Sequence, residues 1–434
     1  MSAHLPSRHL PGRARAAALL VRVVNAASRR LGFGSGTVAG GRLGLLVEPA
    51  LLARLAAGRQ VVLVSGTNGK TTTTRLVAET LRSRYGEVVT NATGSNMPPG
   101  HVAALAGRAA GVPAVLEVDE GYLPRVAVAT SPEVVVLLNL SRDQLDRSSE
   151  VRMVAGRWRQ ALADLGATVV ANADDPLVVY GVGAARSVMW VAAGLGWRND
   201  AVGCPACGGT IEFPAPTPCA GDGSPAGWRC RGCDVARPHP DLWLREPPGP
   251  SGPVVAEWAD GRRQELALAL PGRFNRANAL MALAAADVAG VAPEHAARAM
   301  AAVTEVAGRF TTTVVGGVRV RLLLAKNPAG WSELLGLVEG GTAPVVVGIN
   351  ARTADGHDPS WLWDVPFERL RGRRVVATGE RCLDLSVRLR YAEVGHEVDP
   401  APLGALRRAA HVEGEVVEFI GNYTCFHDVL GARR

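Results

Sequence analysis

The run Ser65-Gly66-Thr67-Asn68-Gly69-Lys70-Thr71-Thr72-Thr73 carries the densest chemistry in this sequence. A short apolar stretch, Val61 to Val64, enters it, and a helical stretch, Thr71 to Arg84, leaves it. Glycines at this junction let the backbone curl so that successive N–H groups face one anion, and the start of the helix adds a favourable dipole. Lys70 would then meet the β- and γ-phosphates of a nucleotide, and the Thr71 hydroxyl would reach Mg²⁺. The usual phosphate loop reads G-x4-G-K-[ST], but Val64 stands where its first glycine belongs, so this is a shorter G-x-x-G-K-T form. The competing reading is a glycine-rich turn followed by a chance Lys-Thr.

A second cluster is made of thiols. Cys204 and Cys207 form one C-x-x-C pair and Cys230 and Cys233 another, with 22 residues between them. Two such turns place four thiolates around one ion, a closed tetrahedral site suited to structural Zn²⁺. An oxidised or metal-free set is the alternative, and Cys219 in the intervening Pro-rich loop is the rival ligand. The module lacks the interleaved basic and aromatic residues of a nucleic-acid surface, so no nucleic acid is expected to bind it.

The elements that must position these groups follow a β–loop–α rhythm. Apolar runs at 61–64, 88–90, 114–118, 134–138 and 168–171 alternate with helical stretches, which predicts a parallel sheet covered on both faces. Residues 198–253 interrupt the rhythm and read as an insertion holding the thiols. A helix over 277–288 and a hinge at 303–310 follow, then a second α/β unit with strands at 318–324, 345–349, 375–378 and 416–420. The resulting division is a basic lead-in at 1–45 ending in glycine turns (Gly32, Gly34, Gly36, Gly40, Gly41), a central domain at 46–305, and a C-terminal domain at 306–434. The length of 434 residues and the 47% hydrophobic content suit such a multidomain chain and exclude general disorder. The formal charge of +7 reads as spread along the chain and suits anionic partners such as nucleotides or phospholipid headgroups. No stretch has the ~18 apolar residues of a membrane span. Ala16 to Val24 is broken by Arg22 and reads as a helix rather than a signal peptide. Paired cysteines without a disulfide framework predict a reducing, cytoplasmic setting.

Several motifs in order resemble the Mur ligase superfamily, which includes the folylpolyglutamate synthases and activates a carboxylate as an acyl phosphate. Gly66 to Thr72 is similar to its ATP loop, and Glu117 to its Mg²⁺-binding glutamate. Asn139-Leu140-Ser141-Arg142-Asp143-Gln144-Leu145-Asp146 resembles its N-L-x-x-D-H-L-D segment, with Gln144 where His is usual near a second metal. Asn172-Ala173-Asp174-Asp175-Pro176 resembles its N-x-D-D motif. The segment from Gly272 to Ala279, with Asn275 and Asn278, resembles the stretch beside the adenine. The resemblance implies an α/β fold with a Mur ligase-like central phosphate-loop domain, a four-cysteine zinc-ribbon insertion and a second α/β domain. ATP, Mg²⁺ and Zn²⁺ are the implied cofactors.

Past the hinge, Lys326-Asn327-Pro328 stands in place of the superfamily's Asp-Tyr-Ala-His-Asn-Pro-like segment. With Gln144, the four cysteines and the run Ala354 to Asp364, this resembles the MurT family. These are synthase subunits of lipid II isoglutaminyl synthases, which amidate the D-glutamate α-carboxylate of lipid II at the inner face of the cell membrane. The resemblance implies a GatD-like glutamine amidotransferase partner that supplies ammonia. It also implies an aspartate (Asp358 or Asp364 ahead of Asp355) that completes the partner's Cys–His pair. Independently, no cysteine outside the insertion sits in a nucleophile elbow, although Cys425 has His427 two residues on in a strand-like run. Trp361 and Trp363 would share one face of an extended segment, either filling a local core or meeting the partner. Two other readings are an amino-acid-adding ligase of the same superfamily and, from a different class, a zinc-ribbon nucleic-acid-binding NTPase.

Overall fold

The computed structural model describes residues 10–31, 37–91, 95–142, 151–214, 227–245, 254–306, 312–410 and 414–432. The chain divides into two compact units: Met1–Leu140, Glu150–Ala269 and Asn275–Val303 form the first, and Ser141–Ser149, Leu270–Phe274 and Thr304–Arg434 the second.

The first unit opens with α1 (Gly12–Arg30), α2 (Thr37–Val47) and α3 (Leu51–Ala56). Helix α1 is longer than the 16–24 stretch expected, because Ala14, Ala17, Ala18, Val21 and Asn25 continue one buried stripe at helical spacing. Gly40 and Gly41 lie in α2 rather than in turns. A Cβ on Gly40 would collide with Asn25 and one on Gly44 with Val21, so small residues let the two helices touch. Gly32, Gly34 and Gly36 lie outside the described residues.

There follow β1 (Val61–Ser65), α4 (Lys70–Tyr85), β2 (Val89–Thr90), α5 (Pro98–Leu105), β3 (Ala114–Glu117), α6 (Leu123–Thr130) and β4 (Val134–Leu137). Then come α7 (Val151–Leu162), β5 (Thr168–Asn172), α8 (Pro176–Val182) and β6 (Ser187–Ala192). Strands β1 and β4 are buried along their whole length, as an apolar run covered on both faces requires. A small antiparallel pair, β7 (Ile211–Glu212) with β8 (Arg229–Cys230), carries the cysteines. The unit closes with β9 (Leu242–Arg245), β10 (Val254–Trp258), β11 (Arg263–Leu266), α9 (Arg273–Val288) and α10 (Pro293–Ala301).

The main sheet has nine strands in the order β11-β10-β9-β6-β5-β4-β1-β3-β2. It is parallel from β2 to β9, but β9, β10 and β11 are antiparallel, which an all-parallel expectation missed. Strand β9, inside the 198–253 stretch, is part of this sheet, so the four-cysteine module occupies the crossover from β6 to β9. Register sets Val64 beside Glu117 and Ser65 beside Leu137. The ends of three strands therefore meet where α/β sheets place their working loops.

The second unit contains β12 (Thr312–Val315), β13 (Val318–Leu324), α11 (Pro328–Val338), β14 (Val345–Gly348), β15 (Val375–Thr378), α12 (Cys382–Tyr391), β16 (His396–Val398), α13 (Pro402–Ala409), β17 (Val416–Gly421) and α14 (Tyr423–Gly431). Its six strands run β12-β13-β17-β14-β15-β16, parallel except for the β12–β13 hairpin. Ser360–Asp364 is a 3₁₀ turn, not an extended segment, so the two tryptophans part company. Trp361 is buried and stacks on Trp331 with ring centroids 6.1 Å apart, while Trp363 is 54% exposed. Such a stack adds about 0.5–1.5 kcal/mol beyond its buried area.

Candidate active site

Strand β1 delivers the chain into Gly66 (φ +136°) and Gly69 (φ +89°), conformations that side chains rarely adopt. A Cβ on Gly66 would lie 2.9 Å from the Asn139 carbonyl oxygen, and one on Gly69 would strike the Asn278 side chain. Both glycines are therefore required by close approach as well as by φ. Gly69 caps α4 with no side-chain acceptor, and the first turn holds no acid. The start of that helix thus presents the positive end of its dipole, an environment favourable to an anion. Lys70 Nζ folds back to donate to the carbonyls of Gly66 and Thr67 (3.0 Å) and to Glu120 Oε2 (3.1 Å). Glu120 was not singled out in the sequence. Its pairing with Lys70 depends on the turn after β3, which no local pattern announces. Gly69→Ala is expected to weaken ATP binding at least tenfold in a calorimetric titration, with the fold retained.

The loop is held from behind. Asn139 Oδ1 accepts from the Asn68 N–H (2.9 Å), its Nδ2 donates to the Asn68 carbonyl (3.0 Å), and its own carbonyl accepts from the Thr67 N–H (2.9 Å). The residues on either side of Asn139 are pinned in turn. Asn172 Nδ2 donates to the Leu138 carbonyl (3.0 Å), and Asp175 Oδ2 accepts from the Leu140 N–H (2.8 Å). Asp175 also caps α8 through the Leu177 and Val178 N–H groups. Complete burial raises its carboxyl to about 6 against these bonds. Gln144 and Asp146 lie outside the described residues.

The same turn anchors the cysteine module. Trp228 Nε1 donates to the Ala173 carbonyl (3.0 Å), and Arg237 Nε pairs with Asp174 at 2.6 Å, both side chains largely buried. Cys204, Cys207, Cys230 and Cys233 converge, with Sγ atoms 3.7 Å apart for Cys204–Cys233 and 3.5 Å for Cys207–Cys230. These separations match the edge of a tetrahedron with metal–sulfur bonds of about 2.3 Å. Backbone N–H groups of Gly209 and Gly232 donate to Cys207 and Cys230 Sγ, and the Gly232 bond lowers the Cys230 thiol to about 7. Cys219 lies outside the described residues.

Glu117 ends β3 half-buried, beside the loop. Its backbone is fixed by Asn91, whose Oδ1 accepts from the Glu117 N–H (2.8 Å) and whose Nδ2 donates to its carbonyl (2.9 Å). His101 Nε2 bonds the same carbonyl at 2.8 Å. Burial lowers the His101 imidazole to about 4. A histidine neutral in the fold but protonated when unfolded costs stability as pH falls from about 6.5 to 4. At 1.36 kcal/mol per unit the loss reaches about 3 kcal/mol. His101→Gln should remove that component, so the stability gap between parent and variant in urea should shrink by about 2 kcal/mol between pH 7 and pH 4.5.

Asn275 and Asn278 are buried in the first two turns of α9, and Asn278 rests on Gly69. In the second unit, Asn327 caps α11 by accepting from the Gly330 N–H (2.9 Å), with Pro328 at the first helical position. Loss of such a cap costs about 1 kcal/mol. Lys326 lies over the Tyr423 ring at 5.0 Å. Asp355 is buried and accepts from Thr424 N–H (2.9 Å) and hydroxyl, a structural tie. Asp358 and Asp364 are exposed; Asp358 accepts from the Ser360 N–H at 2.8 Å. Cys425 and His427 lie on helix α14, not a strand. The Cys425 thiol is buried and pushed up to about 12 by burial, which removes it as a nucleophile.

Family models match the chain twice: the Mur ligase middle domain over residues 64–192 and the MurT ligase C-terminal region over residues 324–426. The chain is 29% identical over 420 residues to the lipid II isoglutaminyl synthase (glutamine-hydrolyzing) subunit MurT of Streptococcus pneumoniae, covering 91% of this chain and 89% of that one. It is 28% identical over 403 residues to the subunit of the same name from Staphylococcus aureus, covering 86% and 87%. Among solved structures, a pseudomurein peptide ligase type C from Methanothermus fervidus aligns with TM-score 0.62 and 20% identity, over 84% of this chain and 76% of that one. MurF ligase from Thermotoga maritima in complex with ADP aligns with TM-score 0.60 and 16% identity, over 90% and 83%. Sheet order, phosphate loop and matched middle domain define a Mur ligase-type enzyme. Within that class, the C-terminal match and the relatives aligned along most of both chains all carry the name MurT, and it is to these subunits that the chain is similar.

Proposed function

We propose that this chain is the ATP-consuming subunit that amidates the α-carboxylate of the D-glutamate in lipid II, giving D-isoglutamine. The observation that carries the reading is the Gly66–Thr72 loop, clamped by Asn139 and followed by an uncapped helix, in a chain whose relatives over about 90% of its length are named for this reaction. Lys70 exchanges its Gly66, Thr67 and Glu120 partners for the nucleotide phosphates, and the loop amides neutralise the rest of their charge. Thr71 and Glu117 are the residues that would hold Mg²⁺, which when bound draws charge from the transferring phosphoryl group. The substrate carboxylate attacks the γ-phosphorus and ADP departs, leaving an acyl phosphate. Ammonia then attacks the acyl carbon, phosphate leaves with the C–O electron pair, and ammonia's surplus proton passes to solvent. Positioned charge supplies most of the acceleration. Asn278 packs against Gly69 of the loop, and Asn275 and Asn278 would lie beside the adenine. Cys204, Cys207, Cys230 and Cys233 would hold structural Zn²⁺ in a closed site with no catalytic position.

A GatD-like glutaminase supplies the ammonia, since neither Cys382 nor Cys425 is an exposed, activated thiol. Leu383 (72% exposed), Val387 and Tyr391 form one apolar face of α12 beside exposed Trp363, a surface of the composition that partners cover. Asp358 or Asp364 orients the partner's imidazole. Replacing the responsible one by Asn should cut glutamine-driven amidation by at least a hundredfold while ammonium-driven amidation persists, which the two nitrogen sources measure directly. The whole reading is tested by incubating chain, glutaminase, ATP, glutamine and lipid II and weighing the product. A mass lower by the OH-to-NH₂ difference supports it, and an added amino acid would point to the peptide-forming ligases instead.

A further inference from the structure

The formal charge is not spread along the chain, contrary to expectation. Residues 1–47 contain seven arginines and no Lys, Asp or Glu, so they alone carry the formal +7, and the remaining residues balance to zero. The described part of this segment also holds six large apolar side chains that face solvent: Leu19 (58%), Val23 (56%), Leu31 (69%), Leu43, Leu46 (75%) and Val47. On α1 the two properties are sorted. Ala14, Ala17, Ala18, Val21 and Asn25 turn inward, Leu19 and Val23 crest the opposite side, and Arg15, Arg22 and Arg29, seven apart, run along one flank. Arg22 and Arg29 have no carboxylate partner among the described residues, whereas Arg82 and Arg108 pair with Glu79 and Glu87. All four arginines line a cavity of about 690 Å³ between α1, β2 and α5, with Val88 and Ala104 on its apolar wall.

A helix with five arginines in 19 residues does not span a bilayer, and no described helix is long and apolar enough to cross one. An apolar crest flanked by arginines is instead the pattern of a helix that lies in a membrane interface. We infer that α1 and α2 dock the protein on an anionic phospholipid surface. Leu19 and Val23 enter the headgroup boundary, Arg15, Arg22 and Arg29 meet lipid phosphates, and the arginine-lined cavity has room for one headgroup. The occupant is the bilayer itself, because a soluble anion would satisfy the arginines but leave the apolar crest in water. The inference rests on the proposed function only for its purpose, bringing the enzyme to a lipid-borne substrate.

The test is sedimentation of the full chain with vesicles. Binding to phosphatidylglycerol/phosphatidylcholine vesicles should exceed binding to pure phosphatidylcholine at least tenfold and weaken as salt rises. At about fivefold per basic residue, removing two charges as Arg22→Gln/Arg29→Gln should reduce it roughly 25-fold. Leu19→Gln/Val23→Gln should weaken binding that survives at high salt. These positions are solvent-facing, and circular dichroism melts confirm that each variant remains folded. Failure to bind anionic vesicles, equal binding to both lipids, or parent-like binding by the double arginine variant overturns the inference. Amidation of a lipid-free muropeptide by the parent chain with its glutaminase is measured alongside. Failure there strikes the ligase reading, while vesicle binding reports on the docking surface by itself.

Discussion

Lys70→Ala is expected to lower ATP-dependent amidation by on the order of 10³-fold or more, with the circular dichroism spectrum unchanged. The lysine is held at the loop by two carbonyls and Glu120, with only a small part of its side chain open to solvent. Nothing else in the Ser65–Thr73 run is cationic, so no neighbour replaces its charge at the γ-phosphate. The fold should survive because β1 and β4 and the Asn139 clamp are untouched. Lys70→Arg should recover little, since a wider planar group must fit where three acceptors already converge. Phosphate release from the purified complex measures the effect. Turnover within tenfold of the parent would remove Lys70 from the chemistry.

Removing the Zn²⁺ proposed for the four-cysteine site is expected to have the second largest effect, and to reach the phosphate loop. Structural Zn²⁺ in small four-ligand sites contributes apparent binding energies of about 10–16 kcal/mol, so the ribbon should lose its fold without the ion. The ribbon is tied to the N-x-D-D turn through Trp228 to Ala173 and Arg237 to Asp174. That turn holds Leu138 and Leu140, and Asn139 between them holds Asn68. Hydrogen bonds joined by short stretches of backbone thus link the cysteine module to the nucleotide loop. Cys204→Ser/Cys207→Ser, or exhaustive chelation, should lower the melting temperature and weaken ATP binding at least fivefold. Unchanged ATP affinity in a zinc-free, folded chain would show that the ribbon is an independent ornament.

What could be read from sequence was what is consecutive. The loop from Ser65 to Thr73, the paired cysteines and the buried runs of β1 and β4 each declare themselves within a few residues. The braces were not legible, because Asn139, Asp175, Asn91 and Glu120 act on partners that only sheet order brings near. The N-x-D-D motif was visible as a motif, but that its last aspartate pins Leu140 required the register of β4 and β5. Two misreadings came from assuming the wrong period. Trp361 and Trp363 looked alternating, yet the chain winds into a 3₁₀ turn after Pro359. Thr424 to His427 looked strand-like, yet it opens α14, and Cys425 points into the core. The β10–β11 hairpin turns at Asp260-Gly261, with Gly261 at positive φ, directly after the β-rich run Val254–Trp258. The lead-in is basic on its face, but its monopoly of the net charge depends on residues 48–434 balancing to zero, which no local stretch displays.

The central claim is that the Gly66–Thr72 loop serves the phosphorylation of a carboxylate. Oxygen-18 placed in the D-glutamate α-carboxylate of the muropeptide tests it most directly, followed by mass analysis of the phosphate released during amidation. An acyl phosphate requires one labelled oxygen to leave with each phosphate formed, with ADP as the other product. Unlabelled phosphate alongside amidated product, or release of AMP in place of ADP, would contradict the account.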